Sequence, residues 1–329
     1  MRPREKISLV YILAASHSGS TLLSRLLARH PEVCTVGELK MTSLGDVARY
    51  RCSCGEAIDS CPFWRGVAED LRAQGHCLDF RNPSGDYATG SGPMVRWLLR
   101  PLHRGPVLEA VRDLGLALAP GWRRHCASVQ SFNAALARSV CSRLGARLIV
   151  DSSKTGVRLK FLLRNPALDV RVIRLVRDGR GVALTYTDPW AYADARDPAL
   201  RGGGEGGSRD SQRLPFDRAV WEWRRSNEEA DLLLRGLRRD RWLEVRYETL
   251  CRSVAGSLDG ILRFLGLDPA GLAAVPAPGA QHIIGNGMRF DRDPDVVLDE
   301  RWRSALTAEH LGRFETLAGA LSRRLGYPS

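Results

Sequence analysis

The apolar positions of the chain gather in short, dense runs that each break abruptly into small polar residues. The first run, Ile7–Ala15 (ISLVYILAA), leads directly into SHSGST. A run of this length with little alternation is read as a buried parallel strand. A helix follows from about Thr21 to Arg29, with Leu22, Leu23, Leu26 and Leu27 on one face. It ends at His30-Pro31, because proline cannot continue a helix. Two further runs have the same form: ARLIV at 146–150 enters DSSKTG, and VRVIRLV at 170–176 enters RDGRGVAL. RWLEVRYETL predicts another strand at 241–247, preceded by a helix that carries Trp221, Trp223, Leu232 and Leu233. SVAGSLDGILRFLGLD predicts a helix closed near Gly266. A last helix is expected from Thr307, as its N-cap, to Leu325. Its apolar face is Leu311, Phe314, Leu317, Ala318 and Leu321, and Gly326 and Pro328 stop it. Short strands alternating with helical segments imply an α/β fold, a three-layer α/β/α arrangement around a central parallel sheet. In such sheets ligands sit at the carboxyl ends of the strands, where all three polar junctions fall.

Composition narrows this picture only in places. No internal repeat or linker interrupts the 329 residues, so one domain spanning 1–329 is expected. Two stretches are expected to be mobile: 82–106, broken by Pro and Gly, and 197–215, which contains RGGGEGGSRDSQ. The basic start and short apolar run of MRPREKISLVYILAAS outline a signal peptide. The strand is preferred because strand, loop and helix follow coherently. No other stretch approaches the roughly 20 apolar residues of a membrane span. Eight scattered cysteines in a chain too large to need staples imply reduced thiols and a cytoplasmic enzyme. The net charge of +12 rests almost wholly on arginine, since Lys6, Lys40, Lys154 and Lys160 are the only lysines. A GC-rich genome accounts for much of that excess, but it also favours an anionic ligand. Aromatic residues make up 7% and do not interleave with the basic ones, so a nucleic-acid partner is not expected. Oligomeric state is not legible.

The loop after the first strand is an imperfect ATP loop. A Walker A frame, G-x-x-x-x-G-K-[ST], would begin at Ala14 and place Ser20 where lysine is required. No acidic residue closing an apolar strand stands out as a magnesium ligand. What survives is a turn of backbone N–H groups at a helix N-terminus, still a good anion site.

SHSGSTLLSRLLARHPEVCTVGELK resembles the 5′-phosphosulfate loop and first helix of sulfotransferases that use 3′-phosphoadenosine 5′-phosphosulfate (PAPS). VIRLVRDGRGVALTYT resembles the family's 3′-phosphate signature, with Arg177 and, eight positions on, Thr185. VRYETL resembles the strand whose tyrosine, here Tyr247, lies near the adenine. VDSSKTGVRLKFLL and HIIGNGMRF followed by a tryptophan are similar to patterns of bacterial members. The resemblance covers most of the chain in the family's order. It implies that His17, Ser18, Gly19, Ser20, Thr21 and Leu22 hold the 5′-phosphate, with Arg289 as a second 3′-phosphate or lid contact. Physical chemistry agrees: a sulfuryl group carries less charge than a transferring phosphoryl, so a backbone nest and one or two basic side chains suffice without a metal.

His17 stands where the family usually has lysine or arginine. It could steady the bridging oxygen if protonated, or merely position the loop. Lys154 is the other candidate for the leaving group. An attacking hydroxyl must lose a proton, and Glu38 in the G-E pair matches the position of a family base. His76, His103, His125 and His282 are rivals. Cys52, Cys54 and Cys61, with His76 or Cys77 nearby, raise a zinc site. Their C-x-C-x6-C spacing is not the paired C-x2-C of zinc ribbons, so thiol packing or a disulfide is preferred and no metal is expected. The expected function is transfer of a sulfuryl group from PAPS to an acceptor hydroxyl on a carbohydrate, lipid or small natural product. Adenosine 3′,5′-bisphosphate is the other product. A P-loop nucleotide kinase and a non-catalytic phosphonucleotide-binding protein are the alternatives.

Overall fold

The computed structural model describes residues 5–41, 44, 47–82, 84–100, 105–192, 213–273, 282–285, 287–290 and 296–328. Five parallel strands form one sheet: β1 (Ile7–Ala14), β2 (Val33–Thr35), β3 (Leu148–Lys154), β4 (Leu168–Val176) and β5 (Trp242–Arg246), in the order β2-β3-β1-β4-β5. β1 is central, with Leu9 opposite Ile149 on one side and Val170 on the other. It is apolar on both faces because both are covered. Leu9, Tyr11 and Leu13 face one way, while Val10 and Ile12 face the other, as the two-residue period of a strand requires.

The first face is packed by α2 (Pro62–Ala73), the long α5 (Trp122–Leu144), α6 (Gly156–Leu162) and α9 (Phe216–Arg235). The second is packed by α1 (Ser20–Leu27), α10 (Tyr247–Arg252) and α11 (Val254–Leu265). Helices α3 (Pro93–Leu98) and α4 (Gly105–Leu118) extend the first layer, and α7 (Gly179–Thr187), α8 (Pro189–Tyr192), α12 (Trp302–Ala305) and α13 (Ala308–Arg324) gather beside the carboxyl end of β4. The arrangement is the expected α/β/α sandwich around a parallel sheet. Leu22, Leu23, Leu26 and Leu27 of α1 are all buried, each contributing about 1.5–3 kcal/mol over an exposed side chain. Thr307 caps α13 as expected, its side chain accepting from the His310 N–H. Among the described residues, no helix is long and apolar enough to cross a membrane.

Four local differences from the sequence pattern have physical causes. β3 does not stop at Val150 but runs through Asp151 to Lys154, because buried Asp151 is held by Arg158 and pairs opposite Tyr11. Tyr247 opens α10 rather than closing β5. Leu311 on α13 is exposed, the neighbouring elements burying Phe314, Ala318 and Leu321 and partly covering Leu317 on that face. Within 82–106, residues 93–98 form α3, whose Val95 and Leu98 are buried. Most of the other stretch expected to be mobile, 197–212, lies outside the described residues.

Candidate active site

The loop between β1 and α1 sits at the carboxyl end of the central strand. His17 (φ 61°) and Gly19 (φ 86°) both take left-handed conformations, and the Leu23 N–H donates to the Gly19 carbonyl as the helix begins. No acidic residue occupies the first turn of α1, so its positive dipole end stays uncompensated. Ser18 is only 1% exposed, yet its hydroxyl has no hydrogen-bond partner among the described residues. A buried, unsatisfied hydroxyl at a helix start suits an oxyanion of a phosphate or sulfate. Glycine is required at 19 for a second reason: a Cβ there would lie 2.7 Å from the Tyr247 ring. Tyr247 thus packs on the loop itself. Ser20 and Leu22 are buried in the first turn, and Thr21 is half-buried beside them. The His17 ring stands edge-on to Tyr186 of α7, 4.5 Å between centroids.

Arg177 leaves the end of β4 and is 1% exposed. Its guanidinium lies 4.4 Å over the Tyr247 ring, donates to the His17 carbonyl at 2.7 Å, and pairs with Asp299 at 2.7 Å. The Thr185 hydroxyl donates to the Gly181 carbonyl, and Gly181 abuts the Arg177 guanidinium. The strand end and the first turns of α7 therefore bring Arg177 and Thr185 together, next to the loop. Burial raises the proton affinity of Asp299, but hydrogen bonds from Arg301 and the charge of Arg177 outweigh it and hold its carboxyl well below the usual range. A cavity of about 270 Å³ opens here, lined by Arg177, Arg180, Arg246, Asp299 and Arg303.

The opposite flank of the loop holds Glu38. Its carboxylate is bonded by Lys154 at the end of β3 and lies 3.4 Å from Lys40, so two of the chain's four lysines converge on it. Burial pushes the Glu38 carboxyl up, but the two ammonium groups dominate and bring it down to about 2. Lys154 (φ 70°) and Met41 (φ 56°) are left-handed, and with His17 they are the non-glycine residues of positive φ among those described. All three flank this site, where backbone strain is commonly held by surrounding structure. The Glu38 turn is braced on both sides. A Cβ at Gly37 would lie 2.1 Å from the Ile284 carbonyl, and the Leu39 N–H donates to Asp151. A small cavity of about 60 Å³, lined by Ser16, Lys40, Lys154, Tyr186 and Arg225, joins the Glu38 flank to the loop. A larger cavity, about 620 Å³, lies at the amino ends of the strands, away from all of these residues.

Other expected site residues are placed elsewhere. Arg289 donates to the carbonyls of Arg51 and Gly285 and lies over the Tyr50 ring, a position behind the Glu38 turn that braces the 51 and 285 segments. That geometry does not support its expected role at the 3′-phosphate. Among the rival bases, His76 bonds Ser131, His125 bonds the Tyr87 carbonyl, and His103 lies outside the described residues. His282 joins Cys52, Cys54 and Cys61, where His76 or Cys77 had been expected. The pattern missed Lys40, Asp151 and Asp299. Lys40 sits two residues from Glu38 in a chain almost devoid of lysine, which was a usable signal. Asp151 opens the DSSKTG junction, while nothing local marked Asp299.

The β1–α1 loop, the Arg177–Thr185 pair and the Glu38–Lys154 pair thus gather around one edge of the parallel sheet. No family model matches the chain. It is 26% identical over 97% of its length to mouse carbohydrate sulfotransferase 5, covering 80% of that protein. The same figures hold for human carbohydrate sulfotransferase 6. Solved structures with similarity include the sulfotransferase STF9 from Mycobacterium avium (14% identity, 99% of this chain and 78% of that one, TM-score 0.49). Another is the sulfotransferase domain of the curacin biosynthetic pathway (17% identity, 97% and 98% coverage, TM-score 0.48). The near full-length similarity to the curated proteins supports a sulfotransferase relationship and a sulfotransferase activity.

Proposed function

We propose that the protein transfers the sulfuryl group of PAPS to an acceptor hydroxyl, with Glu38 as the base and Lys154 at the leaving group. The observation that carries this reading is the Glu38–Lys154 pair beside a phosphate loop whose Ser18 hydroxyl is buried and unsatisfied. The N–H groups and hydroxyls of Ser18, Gly19, Ser20, Thr21 and Leu22 bind the 5′-phosphate. Arg177 and Thr185 take the 3′-phosphate, which displaces the Asp299 carboxylate from Arg177. Tyr247 packs near the adenine. His17 positions the loop through its contact with Tyr186. A carbohydrate hydroxyl is the acceptor class favoured by the names of the similar curated proteins.

The ion pair explains how one site serves both ends of the reaction. A carboxylate held at about 2 is a poor proton acceptor. When the nucleotide enters, Lys154 is drawn towards the bridging oxygen and Glu38 loses its strongest counter-charge. Burial then raises its basicity. The acceptor proton passes to Glu38 as the acceptor oxygen bonds sulfur. The bond from sulfur to the bridging oxygen breaks, and its electron pair stays with adenosine 3′,5′-bisphosphate beside Lys154.

Glu38→Gln should abolish transfer from labelled PAPS while leaving calorimetric binding of adenosine 3′,5′-bisphosphate within a few-fold. A variant with wild-type kcat removes Glu38 as base. A protein that binds ATP in preference to the bisphosphate removes the donor assignment.

A further inference from the structure

We propose that Cys52, Cys54, Cys61 and His282 form a structural zinc site, because their four donor atoms converge and three of their six separations match a tetrahedral ligand set. All four lie within 4.8 Å of one another. Cys54 and Cys61 are 3.6 Å apart at sulfur, and the His282 Nδ1 lies 3.6 Å from Cys52 and 3.5 Å from Cys61. A tetrahedral zinc with bonds of about 2.3 Å to sulfur and about 2.0–2.1 Å to nitrogen separates two sulfurs by about 3.8 Å and sulfur from nitrogen by about 3.5 Å. These three separations fall on those edges. A disulfide would need about 2.05 Å between sulfurs, and none of the eight cysteines forms one. Cys34 and Cys141, 3.8 Å apart, show what ordinary thiol packing gives here: a pair that joins no third such donor among the described residues.

The surroundings suit a closed structural site. Cys52 and Cys61 are fully buried, and three thiolates with one imidazole complete a four-coordinate shell. Soft sulfur donors in tetrahedral array select zinc over magnesium or calcium. Phe63 stacks flat on the His282 ring at 4.3 Å, fixing its plane.

The ligands join segments more than 200 residues apart. His282 is 230 positions from Cys52, and its neighbour Ile283 exchanges hydrogen bonds with Ser53. The next residue, Ile284, pairs with the Gly37 turn, and Gly285 lies against the Glu38 side chain. The metal would therefore staple the loop at 51–61 to the segment that braces Glu38. Its role is positional, and sulfuryl transfer itself needs no electron or proton from it.

The full chain, dialysed against metal-free buffer, is to be analysed by plasma mass spectrometry. Close to one zinc per chain is expected, released by a mercurial that titrates thiols. Cobalt replacement should give the intense visible bands of a tetrahedral thiolate site. Cys61→Ser should lose the metal, Cys77→Ser should keep it, and His282→Cys should retain it as a four-sulfur site, which covers the case in which Cys61→Ser fails to fold. Eight freely titrating thiols with negligible metal, or a Cys54–Cys61 disulfide in the peptide map, would overturn the proposal.

Discussion

Replacing Lys154 by methionine tests whether the ion pair, rather than the site at large, sets the charge on Glu38. Methionine keeps the stem's volume and removes the ammonium. In the intact protein the Glu38 carboxyl falls from its ordinary 4.5 to about 2, against the upward push of burial. That fall is worth about 3 kcal/mol in favour of the charged form. The Glu38 side chain is 20% exposed and the Lys154 side chain 15%, so solvent screens the pair only partly. Without Lys154, Lys40 at 3.4 Å is left alone to oppose burial. The Glu38 carboxyl should then titrate well above about 2. Carbon-13 NMR of the labelled carboxyl in ligand-free protein reads this directly. The pH profile of kcat/KM, which reports the free enzyme, should gain an acid limb in the same range. Acid stability supplies a sign check. A depressed carboxyl stabilises the fold fully above its unfolded value and loses that contribution as pH falls through about 2. Lys154→Met should therefore weaken the fold at neutral pH and show a smaller further loss between about pH 4.5 and 2. If Glu38 in the variant still titrates at the wild-type position, the ion-pair account of its basicity is wrong.

Two shorter predictions concern the donor site. Arg177→Ala should weaken binding of adenosine 3′,5′-bisphosphate by roughly 10- to 100-fold, as loss of a charge-assisted hydrogen bond implies, while adenosine 5′-phosphate is little affected; calorimetry with both ligands checks this. Equal losses for the two would place Arg177 outside the 3′-phosphate contact. Gly19→Ala should lower stability by about 1–2 kcal/mol, from its left-handed backbone and the clash with Tyr247, and should also impair nucleotide binding; urea unfolding and calorimetry measure the two effects.

Much of the fold was legible because burial on both faces of a parallel sheet leaves an unmistakable trace. Ile7–Ala15, VRVIRLV and the leucines of α1 carry that trace, and each formed the element it predicted. The long α5 and the three-residue β2 left weaker signals. The first has a broad, small-residue face, and the second is too short for any period to register. At the site, Arg177 and Thr185 were paired by the resemblance of their stretch to the family's signature, and one strand end and one helix hold both. Arg289 could not be placed that way. Its partners, Arg51, Gly285 and the Tyr50 ring, are long-range in two cases of three.

The sequence by itself determined the parallel sheet, the Ser- and Gly-rich loop at its carboxyl edge and the absence of a Walker lysine from that loop, since these depend on residues adjacent in the chain. Only the tertiary structure decided that Lys154 bonds Glu38, that Asp299 holds Arg177, and that His282 joins the cysteine cluster. Each of these contacts joins residues more than 100 positions apart. No local periodicity encodes such a meeting, which arises only when the packed layers close around the sheet.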